Sequence, residues 1–114
     1  MTEVLLLEAT DAFTSVAVRG RLDAAGVGEV DLSLTGQTVA RRRPAVIDLT
    51  EVGFIASLGI GMLVAIAKSM RMHGVGVAVV AGPPVRTVLE MTHIAPLIPV
   101  VATREDALRA LGVA

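Results

Sequence analysis

The run FIASLGIGML, Phe54 to Leu63, carries one hydroxyl, Ser57, among apolar residues, with glycines at Gly59 and Gly61. A serine between a strand-like and a helical segment can do two kinds of chemistry. Its oxygen can accept from an amide two or three residues on, here Gly59 or Ile60, and so cap the helix. The same position suits a phosphoryl acceptor, because a phosphate there would sit at the positive end of the helix beside the amides of Gly59, Ile60 and Gly61. Spacing alone leaves both open.

Other polar groups offer less. Asp23 and Asp48 could be paired carboxylates, but nothing sets their separation or supplies a cleft, and turn or cap roles for Asp are common. If covered at its strand end, Asp48 needs a hydrogen-bond partner, for which the backbone just before the next helix is the natural source. Arg41, Arg42 and Arg43 form the one basic cluster, with no interleaved aromatic, and read as a solvated loop. His73 and His93 form no helical pair, and the chain has no cysteine, so disulfides, thiolate nucleophiles and Cys-based zinc sites are excluded. There is no phosphate-loop run and no G-x-G-x-x-G, so neither a bound cofactor nor a metal is expected. With no catalytic constellation in view, the chain does not read as an enzyme.

Ten basic and eleven acidic residues leave a net charge of -1, which provides no footprint for nucleic acid or an anionic membrane. MTEVLLLEAT lacks the basic flank of a signal peptide, and no apolar run reaches the roughly 18 residues of a membrane span. A cytoplasmic protein without direct membrane insertion is expected.

The elements that must position Ser57 follow from pattern. At 114 residues, one domain over 1–114 is expected; with 54% hydrophobic but 2% aromatic residues, its core must be aliphatic. Val4 to Leu7 and Thr14 to Arg19 read as a hairpin of edge strands. LDAAGVGEVDLSLTGQTVA reads as a helix whose start is weakened by Gly26 and Gly28. Pro44 stops it, and AVIDL is a buried strand. A helix runs from about Ser57 to His73 with Gly74 as a left-handed cap. VGVAVVA is a second buried strand, Pro83 or Pro84 opens the helix VRTVLEMT, LIPVV is a last strand, and TREDALRAL is a last helix capped by Thr103. Strand and helix alternate from Pro44 on, which implies right-handed crossovers. The fold class is α/β, with a mixed, mostly parallel sheet of about five strands and about four helices.

In the helix after Ser57, Ile60, Leu63, Val64 and Ala67 share one stripe and Leu58, Met62, Ala65 and Ser69 another. The first stripe is assigned to the core. Leu58 and Met62 are either a docking face or simply buried.

The order GRLDAA, VIDLTEVGFIASLGIGML, HGVGVAVVAG and VLEMTHIAPLIPVVATREDAL resembles the STAS domain, the fold of bacterial anti-sigma factor antagonists. The resemblance spans nearly the whole chain and is strongest over DLTEVGFIASLGIGML. It implies that Ser57 is the target of a partner that is both serine kinase and anti-sigma factor, which the unphosphorylated domain binds so as to free the sigma factor. Phosphorylation would then release the domain, and a phosphatase would reset it. Asp23 in GRLD and Asp48 in VIDL match acidic positions of the family pattern. Where the family has aspartate before the serine, this chain has Ala56, which removes an acceptor able to orient the hydroxyl and one charge that would repel a phosphate. STAS domains without the switch act as docking subunits of larger transport or signalling assemblies, and that is the alternative.

Overall fold

The computed structural model describes residues 1–113. Its elements are β1 (Glu3–Ala9), β2 (Thr14–Leu22), α1 (Ala24–Thr38, continued by a 3-10 turn over Val39–Arg41), β3 (Ala45–Ile55), α2 (Ser57–Met72), β4 (Val77–Val80), α3 (Pro83–Met91), β5 (Val100–Val101) and α4 (Arg104–Ala110). The sheet order is β1-β2-β3-β4-β5; β1 is antiparallel to β2 and every other pair is parallel. The expected α/β class and the sheet with an antiparallel beginning are therefore present.

Each parallel crossover steps to the next strand in the same direction, so a single crossover hand stacks α1, α2 and α3 on one face. Val16, Val18, Ile47, Leu49, Val77 and Val79 point to that face and meet Val30, Leu34, Leu63, Ile66, Val85 and Leu89. The alternate residues Val46, Ala78 and Val80 point the other way, where α4 covers them with Ala107 and Leu108 beside Phe13. Fully burying a side chain of this size contributes about 1.5–3 kcal/mol, so an aliphatic core can hold the fold with little aromatic material.

Several boundaries depart from the sequence pattern for identifiable reasons. α1 starts firmly: the Asp23 carboxylate accepts the Gly26 amide at 2.8 Å, and a Cβ on Gly26 would lie 1.8 Å from the Arg21 carbonyl oxygen, so glycine is required by close approach. β3 continues through TEVGFI to Ile55 because β2 keeps pairing with it, from Arg19 beside Glu51 to Leu22 beside Ile55. Two register shifts on the way disrupt the two-residue alternation. β5 shrinks to Val100–Val101, since the amides of Leu97 and Ile98 are taken by the Ile94 carbonyl and Pro99 has none to offer. Val75 belongs to the cap of α2 rather than to β4. Its amide donates to the Met70 carbonyl and that of Gly74, at φ +76°, to Arg71, which is a Schellman ending.

β4 ends level with Asp48, which pairs with Val80, whereas β2 and β3 run on together to Leu22 and Ile55. A two-stranded extension therefore projects past the rest of the sheet. It delivers the chain into α1 and α2.

Candidate functional site at the start of α2

At the tip of that extension the Ala56 amide donates to the Leu22 carbonyl at 2.9 Å. Asp23 follows Leu22 and Ser57 follows Ala56, so the turns into α1 and α2 stand side by side. Ala56, in extended conformation, is the N-cap residue of α2, and its methyl group can cap nothing. Ser57 is the first helical residue and is exposed.

Of the two readings left open for Ser57, the structure removes capping. The amides of Gly59 and Ile60 both donate to the Ala56 carbonyl, at 2.9 and 3.1 Å, and Gly61 lies in the helical ladder. Among the described residues the amides left without a backbone acceptor at this end are those of Ser57 and Leu58. The hydroxyl itself is exposed and caps no amide of α2.

The two glycines have different reasons. A Cβ on Gly59 would meet Ile55 Cγ1 at 2.9 Å and the Leu22 Cβ and carbonyl at 3.1 Å, so it permits close packing of α2 on the strand ends. Gly61 faces open space. Ile60 is half-buried against the core.

Asp23 stands opposite Ala56, the residue before Ser57. Its carboxyl is held below the ordinary value of 3.8, first by the Gly26 amide and then by the Arg21 N–H, with Arg21 Nε 3.3 Å from Oδ2. Arg21 in turn lays its guanidinium 4.4 Å from the centre of the Phe54 ring. Asp48 is not part of this group. It shares a face with Val46 and Val80, the α4 side of the sheet, while α2 packs on the other, and its Oδ1 accepts the Thr50 amide at 2.8 Å rather than the backbone before α2. Asp23 and Asp48 therefore do not form a carboxylate pair.

Of the two candidate docking side chains, Leu58 is 59% exposed, whereas Met62 is 6% exposed and belongs to the main core. Met62 is corrected to a core residue, because one helical turn past Leu58 the α2 surface rotates toward the sheet. Gly61 and Ala65 continue the exposed face of α2 past Leu58, and Phe54, on the strand before Ser57, is 40% exposed. Neither Phe54 nor Arg21 is singled out by the sequence pattern. Both lie where β2 and β3 pair through a register shift.

Among the described residues no three His, Asp or Glu side chains gather as metal ligands, and no helix is long and apolar enough to cross a membrane. Arg41 is held by Gln37 Oε1 at 2.8 Å and Arg43 lies 3.9 Å from Asp11 Oδ1, at the edge of the sheet where β2 and β3 begin, away from Ser57.

Residues 5–107 match the family model of the STAS domain. The chain is 27% identical over 111 residues to BtrV of Bordetella bronchiseptica, designated an anti-sigma factor antagonist, covering 96% of each chain. A crystal structure of an anti-sigma factor antagonist from Mycobacterium paratuberculosis is 30% identical, with a TM-score of 0.85, covering 98% of this chain and 95% of that one. The Bacillus cell fate determinant SpoIIAA in its phosphorylated form superposes with a TM-score of 0.63 at 17% identity, covering 95% and 98%, a likeness of fold alone.

Proposed function

The chain belongs to the STAS domain family, and on that premise we propose that residues 1–114 form one regulatory domain that binds an anti-sigma factor through the exposed start of α2. The anti-sigma factor is also the serine kinase, and Ser57 is its substrate. The observation that carries this is the exposed, uncommitted hydroxyl of Ser57 at the first position of α2, flanked by exposed Leu58 and Phe54.

In the unmodified state Leu58 and Phe54 supply apolar surface for the partner, and the anti-sigma factor lets go of its sigma factor. Phosphoryl transfer forms a bond from Ser57 Oγ to the γ-phosphorus of ATP; the bond to ADP breaks and the hydroxyl proton passes to a base on the kinase. The ester adds about -1.5 to -2 charges at neutral pH. Burying that charge against apolar side chains costs several kcal/mol, and a single neighbouring cation offsets only part of it, so the complex dissociates. A phosphatase hydrolyses the ester and restores the docking state. The setting is cytoplasmic, and the chain itself performs no catalysis.

The relatives support this reading by their designation as anti-sigma factor antagonists, and SpoIIAA, alike in fold, has a phosphorylated form. The second reading is a docking subunit of a larger assembly that is never phosphorylated; Ala56, which leaves the cap of α2 without a side-chain acceptor, is the observation in its favour. Phosphopeptide mass spectrometry on protein from its native cells, across growth and stress conditions, separates them: phosphate on Ser57 supports the switch, and its absence under every condition supports constitutive docking.

A further inference from the structure

We infer that Arg21 is the counter-ion of a phosphoryl group on Ser57, leaving the Phe54 ring to pair with it; this rests on Ser57 being the acceptor proposed above. The Leu22–Ala56 hydrogen bond sets Asp23 opposite Ala56, one residue before Ser57. A phosphate on Ser57 would therefore develop one residue along from the level of Asp23, and two negative groups at that spacing favour a cation between them.

Arg21 is placed to be that cation. Its Nε donates to Asp23 Oδ2 at 3.3 Å, its other guanidinium nitrogens are in no hydrogen bond among the described residues, and the planar fork suits phosphate oxygens. Its main chain is clamped, with the Thr2 hydroxyl donating to the Arg21 carbonyl at 2.7 Å and accepting the Arg21 amide at 3.2 Å. The side chain can thus swing while the strand stays still.

Nearby cations are committed elsewhere. Arg19 is shared between Glu51, at 2.7 Å, and Glu3, at 3.9 Å. Arg86 donates to the Ala81 carbonyl at 3.0 Å, at the end of β4, below the projecting tip. Lys68 lies well along α2. Modification would then do two things at once: add charge at Ser57 and strip the guanidinium from Phe54, which alters the docking surface beyond the serine itself.

The test is NMR of the full chain with phosphoserine installed at position 57 by semisynthesis, compared with the unmodified chain. In the unmodified protein the Arg21 Hδ resonances should lie upfield through the Phe54 ring current, and Phe54→Leu should abolish that displacement. With phosphoserine at 57, the upfield displacement should be lost and Arg21 Hε should move downfield. Arg21→Lys should keep part of the accompanying phosphorus shift and Arg21→Gln none. Unchanged Arg21 resonances, or a response at Arg86 instead, would overturn the inference. Because the phosphate is installed without a kinase, such a failure leaves the assignment of Ser57 as acceptor standing. That assignment fails separately, if phosphate is never found on Ser57 in cells.

Discussion

The Ala56 amide and the Leu22 carbonyl, 2.9 Å apart, continue the β2–β3 ladder one step past Ile55 and thereby set Asp23 opposite Ala56, one residue before Ser57. This bond holds Asp23, and with it Arg21, near the start of α2, and leaves Asp48 on the opposite face.

The uncapped start of α2 can be improved. Ala56→Asp or Ala56→Ser places an acceptor at a position of extended backbone and should stabilise the chain by about 1 kcal/mol. That corresponds to a rise in melting temperature of roughly 4 °C for a domain of this size, read by thermal denaturation. Ala56→Asp also restores the residue expected in the family, and phosphorylation by a cognate kinase can be compared in the same pair of proteins.

Leu58 and Met62 should separate binding from folding. Leu58→Ala should leave the urea midpoint nearly unchanged, since the side chain is exposed, while weakening partner affinity by about tenfold, or 1.4 kcal/mol. Met62→Ala should cost about 2–5 kcal/mol of stability, as for other buried large-to-small changes. Equal loss of stability in both variants would place Leu58 in the core.

The glycines give a graded set. Gly61→Ala faces open space within a helix and should raise stability by about 0.5–1 kcal/mol. Gly26→Ala would drive a methyl group into the Arg21 carbonyl and should lower stability by about 3 kcal/mol. Chemical denaturation of the two variants reads both signs. Gly61→Ala combined with a partner-binding assay further reports how closely the partner approaches the helix.

Asp23 predicts a pH dependence. Its folded-state carboxyl is held below 3.8 by the Gly26 amide and Arg21, so its contribution to stability is fully present above that value and is lost as pH falls through the lower folded value. Asp23→Asn keeps an efficient N-cap but does not titrate. Urea midpoints measured between neutral pH and about pH 2 should fall more steeply in the acid range for the parent chain than for Asp23→Asn.

The sequence pattern carries most of the fold. Continuous apolar runs at AVIDL and VGVAVVA mark buried parallel strands, and Thr103 caps α4 as its type and place suggest, accepting the Asp106 amide at 3.1 Å. What it conceals is long-range. The extension of β3 through TEVGFI depends on a partner strand distant in sequence, and its two register shifts scramble the alternation by which a strand is recognised. Met62 looks equivalent to Leu58 on a helical wheel, yet the wheel has no knowledge of where the sheet lies. Arg21 and Phe54 meet only once β2 and β3 are paired.

β2 and β3 continuing beyond β4 also divides the molecule mechanically. The five-stranded half, clasped by α4 on one side and α3 on the other, holds the greater part of the cross-strand cohesion. The tip is braced by one strand pair, two helix starts and the Thr2 clamp on Arg21. A partner gripping the tip therefore loads a part of the molecule that can yield while the five-stranded half stays intact, and its turns can diverge in residue type without cost to that half. The proposed docking surface and the greater part of the cohesion thus lie at opposite ends of the same two strands.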